Sequence, residues 1–231
     1  MSLINMRVSM PDRTGMLATV ASALSEASAD IVTIDVVHHA DGLVVDDLCI
    51  DIKATTPSAL RRRVEEVPGV VVEVVRSVDA PPTSVDALEL AQAVVENHGD
   101  HRVEVLVEGL PAALGGEWAM ALELHGDGVR LICASARAPG PPEGIVPWMP
   151  LAAPRRLAVA PWMPTSWRLR SMVTGLEVAA SPLSLPTKAV AVARSSGRFR
   201  PPELRQLEIL AHLAIRDSQV SSPEPVPTAI G

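Results

Sequence analysis

Tyrosine is absent from this 231-residue sequence, phenylalanine occurs once, and aromatic residues make up only 2% of it. The stacking platforms that hold single-stranded nucleic acid are therefore missing, apart from four tryptophans that all lie beyond residue 117. Positive charge is also in short supply. Twenty Lys and Arg face 27 Asp and Glu, for a net charge of -7, which leaves no electrostatic footprint for a nucleic-acid backbone. The single basic cluster, Arg61-Arg62-Arg63, reads as the solvated face of a helix. There is no run of about 18 apolar residues and no charged n-region followed by an apolar h-region, so no membrane association and a cytoplasmic location are expected. The two cysteines, Cys49 and Cys133, lie far apart in apolar runs and form no metal-spaced pair; buried reduced thiols and no metal are expected. Also missing are a Ser-His-Asp or Cys-His constellation at strand-end turns, a glycine-rich phosphate loop and a histidine pair at helical ligand spacing. The chain accordingly reads as non-enzymatic, without a cofactor.

What is present begins with the stretch Met10 to Leu17. Before it, Ile4, Met6 and Val8 alternate with Asn5, Arg7 and Ser9, the period of a half-buried strand. After it, Leu17, Val20, Ala21, Leu24 and Ala27 follow helical spacing. Met10-Pro11-Asp12-Arg13-Thr14-Gly15-Met16-Leu17 thus forms a corner from strand to helix. Pro11 fixes its own φ, Asp12 or Thr14 can accept from first-turn amides, and Gly15 allows a bend or a close approach. Free amides and the positive end of the helix dipole at such a corner favour a small carboxylate. Read structurally instead, Asp12 is only the N-cap and Gly15 only a packing glycine.

Beyond this helix, Ile31 to His39 and Leu43 to Lys53 flank Asp41-Gly42, a hairpin signal. Thr56-Pro57 opens a second helix with Leu60, Val64 and Val67 as its stripe, Pro68-Gly69 ends it, and a strand runs from Val70 to Val78. The order is βαββαβ, the ferredoxin-like arrangement. The last strand is apolar on both faces, so the sheet's second face requires cover from another copy of the chain or from the rest of this one. His38 and His39, as strand neighbours, point to opposite faces and do not share a metal.

The Pro-Asp-Arg-x-Gly-Met-Leu turn within a unit of this size resembles an ACT domain, over residues 2 to 79. That resemblance implies a regulatory module that binds an amino acid where the first loop meets the start of the second strand, often across a dimer interface. The matching positions are Pro11, Asp12, Arg13, Thr14, Gly15, Met16 and Leu17, with Asp30 and Ile31. Amino-acid-binding members often carry asparagine where Asp30 stands; an aspartate accepts from an ammonium but cannot donate to a carboxylate.

Composition changes at the Pro-rich segment 80–84, which reads as a stiff linker; only three of the 21 prolines precede it. Helices over Val85 to Glu96 and Val103 to Leu114 come next. Strands over Glu117 to Leu124 and Val129 to Ala136 follow, then a proline-rich excursion over 138–165 containing Trp148 and Trp162. Strands over Gly175 to Leu183 and Lys188 to Ala193 and a closing helix with Leu204, Leu207, Ala211 and Ala214 complete the second unit. Its closing Arg-Phe-Arg-Pro-Pro-Glu-Leu turn and helix carry most of a likeness to a GAF domain, a ligand-sensing module. No signature of a GAF ligand is legible; Trp148, Trp162 and Trp167 either line a cavity or fill a core short of aromatics.

The expected architecture is α+β: a ferredoxin-like ACT domain over 1–79, a linker over 80–84, an α+β GAF-like domain with an antiparallel sheet over 85–217, and a disordered tail over 218–231. The expected function is a homodimeric sensor of a small amino acid. The alternative is a dimerisation and interaction module that regulates an enzyme partner in trans without a ligand.

Overall fold

The computed structural model describes residues 2–78, 84–183, 185–195 and 197–215. The expected tail and all of the expected linker except residue 84, where a helix begins, lie outside the described residues.

The first sheet comprises β1 (Ser2–Pro11), β2 (Ala29–Ala40), β3 (Leu43–Ile52) and β4 (Val71–Val78) in the antiparallel order β2-β3-β1-β4. Helices α1 (Met16–Glu26) and α2 (Pro57–Glu65) cover one face. There Ile4, Met6, Val8 and Met10 pack with Leu48 and Ile50, with Val20 and Leu24 of α1, and with Leu60 and Val64 of α2. Thr56 caps α2 by accepting from the Ala59 amide at 3.2 Å, with Pro57 in the first turn. The hairpin between β2 and β3 turns on Asp41 and Gly42, at φ 57° and 72°, the left-handed pair that a two-residue turn of matching twist demands.

The half-buried reading of β1 needs correction. Asn5, Arg7 and Ser9 on its second face are 2%, 4% and 9% exposed, because the second half of the chain packs over them. Cover for that face therefore comes from within this chain, and at this spot it is polar.

The second half contains α3 (Ser84–Glu96), α4 (His101–Ala113), β5 (Trp118–His125), β6 (Gly128–Ala134), β7 (Arg155–Leu157), α5 (Thr165–Thr174), β8 (Glu177–Leu183), β9 (Leu185–Arg194) and α6 (Pro201–Leu213). Its five strands run antiparallel in the order β6-β5-β9-β8-β7. On one face Ala119, Ala121, Val190 and Val192 meet Leu90 and Val94 of α3, Leu106 and Leu110 of α4, and Leu207 and Leu210 of α6. On the other, Trp118 and Met120 with Ala180, Ala189, Ala191 and Ala193 receive Trp148 and Met163 from the proline-rich excursion and Trp167 from α5. Alanines on the strands leave room for the indoles, and Trp118 and Trp167 pack with centroids 4.7 Å apart. The tryptophans fill the core. The excursion also holds β7, and α5 starts at its last residue; sequence period reveals neither: α5 buries only Trp167 and leaves Leu169, Met172 and Val173 exposed.

Candidate functional site

Of the two polar sites in this fold, the first is the corner between β1 and α1. Gly15 is the N-cap of α1, in the left-handed region at φ 91°, and no side chain caps the helix. Asp12 is therefore not a cap. Its carboxylate instead meets His39 Nε2 at 2.7 Å, and its amide donates to the Gly42 carbonyl at 2.9 Å, which ties the corner to the hairpin turn. The amides of Arg13, Met16 and Thr19 find carbonyl acceptors, whereas those of Leu17 and Ala18 make no hydrogen bond among the described residues. These two donors are the open first-turn amides of a helix N-terminus. A Cβ at Gly15 would meet nothing within 4 Å, so glycine is needed there for its φ and not for packing.

Asp12, Arg13, Thr14, Gly15 and Leu17 are exposed, as is Asp30; Pro11, Met16 and Ile31 are half-buried. Asp30 pairs with Lys53. Both candidate acceptors for an ammonium group thus already have a side-chain partner. Close to the corner, Asp46 is 2% exposed on the helix-covered face of β3, and its Oδ1 has no hydrogen-bond partner. Burial holds its carboxyl above the ordinary range; Asp47 adds to this and His39 opposes it.

The second site is the junction of the two halves. Arg7 Nε and Nη2 grip the Asp47 carboxylate at 2.8 and 2.6 Å, and Nη2 also reaches Glu203 Oε1 at 3.1 Å. Glu203, in the first turn of α6, receives both Nη atoms of Arg194 at 2.6 and 2.8 Å and the Arg200 amide at 2.7 Å. Arg200 pairs with Glu73 of β4, and Arg76 of β4 donates to the Gly115 carbonyl at 3.2 Å. Burial opposes ionisation of Glu203, but Arg194 and Arg7 outweigh it and keep the carboxyl below its ordinary range. Burial likewise opposes the charge on Arg7, and Asp47 and Glu203 reverse that effect. The bonds that cross, Arg7 to Glu203, Arg200 to Glu73 and Arg76 to the Gly115 carbonyl, hold the two halves in register, while the bidentate grips within each half orient Arg7 and Glu203 for them.

The first sheet follows the ferredoxin-like strand order, and the second is a five-stranded antiparallel sheet between helices and an irregular excursion. Solved structures with these two forms are similar to the corresponding parts of this chain. The chain joins an ACT-like domain to a GAF-like domain. The ACT domain of GTP pyrophosphokinase from Chlorobium tepidum matches 34% of this chain and 100% of its own at 25% identity, with a TM-score of 0.28. An ACT domain protein from Streptococcus pneumoniae matches 33% of this chain and 89% of its own at 16% identity, with a TM-score of 0.29. A GAF domain from Pseudomonas syringae pv. tomato matches 56% of this chain and 81% of its own at 17% identity, with a TM-score of 0.40. No protein-family model matches the chain, nor does any curated protein.

The corner residues of the ACT-like domain lie together, as contiguous sequence must, but Asp30 and Ile31 do not join them within one chain: they pair with Asp51 and Ile50 of β3, level with Leu3 and Ile4 of β1, at the opposite end of the sheet from Pro11. Cover of the second sheet face by the rest of the chain was one of the two expected arrangements, but the polar junction that supplies it was not. Its one signal is the Asn5-x-Arg7-x-Ser9 alternation, which marks a polar strand face without revealing that the face is buried. Among the described residues no group of His, Cys, Asp and Glu is arranged to hold a metal, and no helix is long and apolar enough to cross a membrane.

Proposed function

We propose that this protein is a non-enzymatic regulator that binds a small amino acid at the corner formed by Pro11, Asp12, Arg13, Thr14, Gly15, Met16 and Leu17, with Asp30 and Ile31 contributed by a second copy of the chain paired along the adjoining β2 edge. The observation that carries this reading is the pair of open amides, Leu17 and Ala18, at the N-terminus of α1. They offer two donors and a positive dipole end to the ligand carboxylate. Its ammonium then exchanges with His39 on Asp12, or with Lys53 on the Asp30 of the second copy, both exposed pairs that cost little to part.

Support for a second copy comes from β2. It is an outer strand of its sheet, and Val32, Ile34 and Val36 are 43%, 41% and 65% exposed. A long apolar edge of this kind is a template for pairing with another strand. The same edge is the ground for a second reading, in which the protein dimerises and regulates an enzyme in trans without any ligand.

Thermal unfolding of the full chain against the twenty amino acids tests the proposal. One or a few should raise the midpoint, and Asp12→Ala with Gly15→Val should abolish the rise. Survival of the rise in that double variant rules out the corner, and no rise with any amino acid leaves only the dimerisation reading. Light scattering on Ile34→Lys, which places a charge on the edge, checks the dimer separately: the variant should be monomeric.

A further inference from the structure

A cleft of about 260 Å³ lies between the second face of the first sheet and the GAF-like domain. That is just below the ~300 Å³ at which pockets for drug-sized molecules begin, so it suits a small metabolite. Asn5 and Arg76, directly opposed residues of β1 and β4, form part of its lining. Opposed residues project side by side on one face of a sheet.

Each keeps one donor without a partner. Asn5 is 2% exposed and its Nδ2 makes no hydrogen bond; Arg76 Nε makes none either. Buried donors without acceptors are costly, and a pair of them side by side calls for an acceptor with two oxygens. We propose that the cleft binds a small monocarboxylate at the boundary of the two domains, its oxygens accepting from Asn5 Nδ2 and Arg76 Nε. Burial holds the Arg76 cation below its ordinary range, with Asp47 opposing and Arg194 and Arg7 adding to the effect, so a nearby anion would be welcome. A doubly charged phosphate fits less well, because the carboxylates of Asp47 and Glu203 line the same cleft.

The site is independent of the corner. The test is a titration of the ¹⁵N-labelled full chain with sodium acetate, against sodium chloride at equal ionic strength. The side-chain resonances of Asn5 Nδ2 and Arg76 Nε should move saturably with acetate alone, and Arg76→Gln should weaken acetate binding at least about tenfold. The Leu17 and Ala18 amides report on the corner in the same spectra, so failure at one site is distinguished from failure at the other. Immobile Asn5 and Arg76 resonances, or equal shifts with chloride, would overturn the proposal without recourse to the variant. Inorganic phosphate binding as tightly as acetate would overturn the assignment to a monocarboxylate.

Discussion

Glu203→Gln removes one negative charge from the centre of the domain junction and little else, because glutamine keeps nearly the same shape and can still accept from the Arg200 amide. The consequence falls on two guanidinium groups, Arg194 and Arg7, whose side chains are 2% and 4% exposed. Leaving a buried charge without its partner costs about 3–5 kcal/mol. Here the lower end applies. Arg7 keeps its two bonds to Asp47, and Arg194 keeps the carbonyls of Leu114, Arg198 and Gly197 at 3.0, 2.7 and 3.1 Å, with the Phe199 ring 4.0 Å away. A loss of ~3 kcal/mol at roughly 2–4 °C per kcal/mol, for a protein of this size, lowers the unfolding midpoint by about 6–12 °C.

Differential scanning calorimetry at pH 7 reads this directly. The pH dependence gives a second check. Because Glu203 titrates below its ordinary 4.5 in the native state, its contribution is fully present above that value and is lost as the pH falls through the depressed native one. Wild type and variant should therefore converge in acid. A drop below about 2 °C at pH 7 would mean that the junction behaves like a screened surface ion pair, and the account of the domain interface would fail.

The other two predictions concern Asp46, which is buried, and Cys133, which, unlike the buried Cys49, is half-buried and so departs from the expected burial of both thiols. Asp46 holds its proton more tightly in the native protein than in the unfolded chain, so its contribution is most favourable below the ordinary 3.8 and declines as the pH rises through the raised native value. Asp46→Asn should raise the midpoint at pH 7 and leave it unchanged below that ordinary value, as followed by circular dichroism; destabilisation at pH 7 would contradict this. Burial, with help from Glu104, pushes the Cys133 thiol up to about 11 from 9.0. Two pH units mean roughly a hundredfold less thiolate, so iodoacetamide at pH 8 should label Cys133 about a hundredfold more slowly in the native protein than in denaturant.

The elements of the ACT-like domain were legible in the sequence because its signals are local. Thr56-Pro57, Asp41-Gly42 and the strand-to-helix step at Gly15 each act through the backbone of a few residues. The corner was legible for the same reason, although the role of Asp12 was not: its partner His39 is 27 residues away, and only the fold brings them together. The domain junction lies beyond sequence reasoning on two counts. Arg7 and Glu203 are separated by 196 positions, and the feature that reveals their importance is burial, which an alternating pattern of apolar and polar residues misstates. Helix α5 escaped because its exposed face carries Leu169, Met172 and Val173, so hydrophobic period has no contrast to report.

The corner and the junction share one strand. Pro11 at the end of β1 leads into the corner, while Asn5 and Arg7 carry the junction on the face turned away from α1. A ligand at either place alters domain packing only by the difference in its affinity for the two packings. For a release costing ~3 kcal/mol, a ligand must bind the released state about 150-fold more tightly, the upper end of ordinary coupling energies. Tightening the junction asks for less. A carboxylate satisfying Asn5 and Arg76 adds contacts in the closed arrangement and forfeits none of those made by Glu203, so ligand binding should shift this protein towards firmer domain packing and not towards separation.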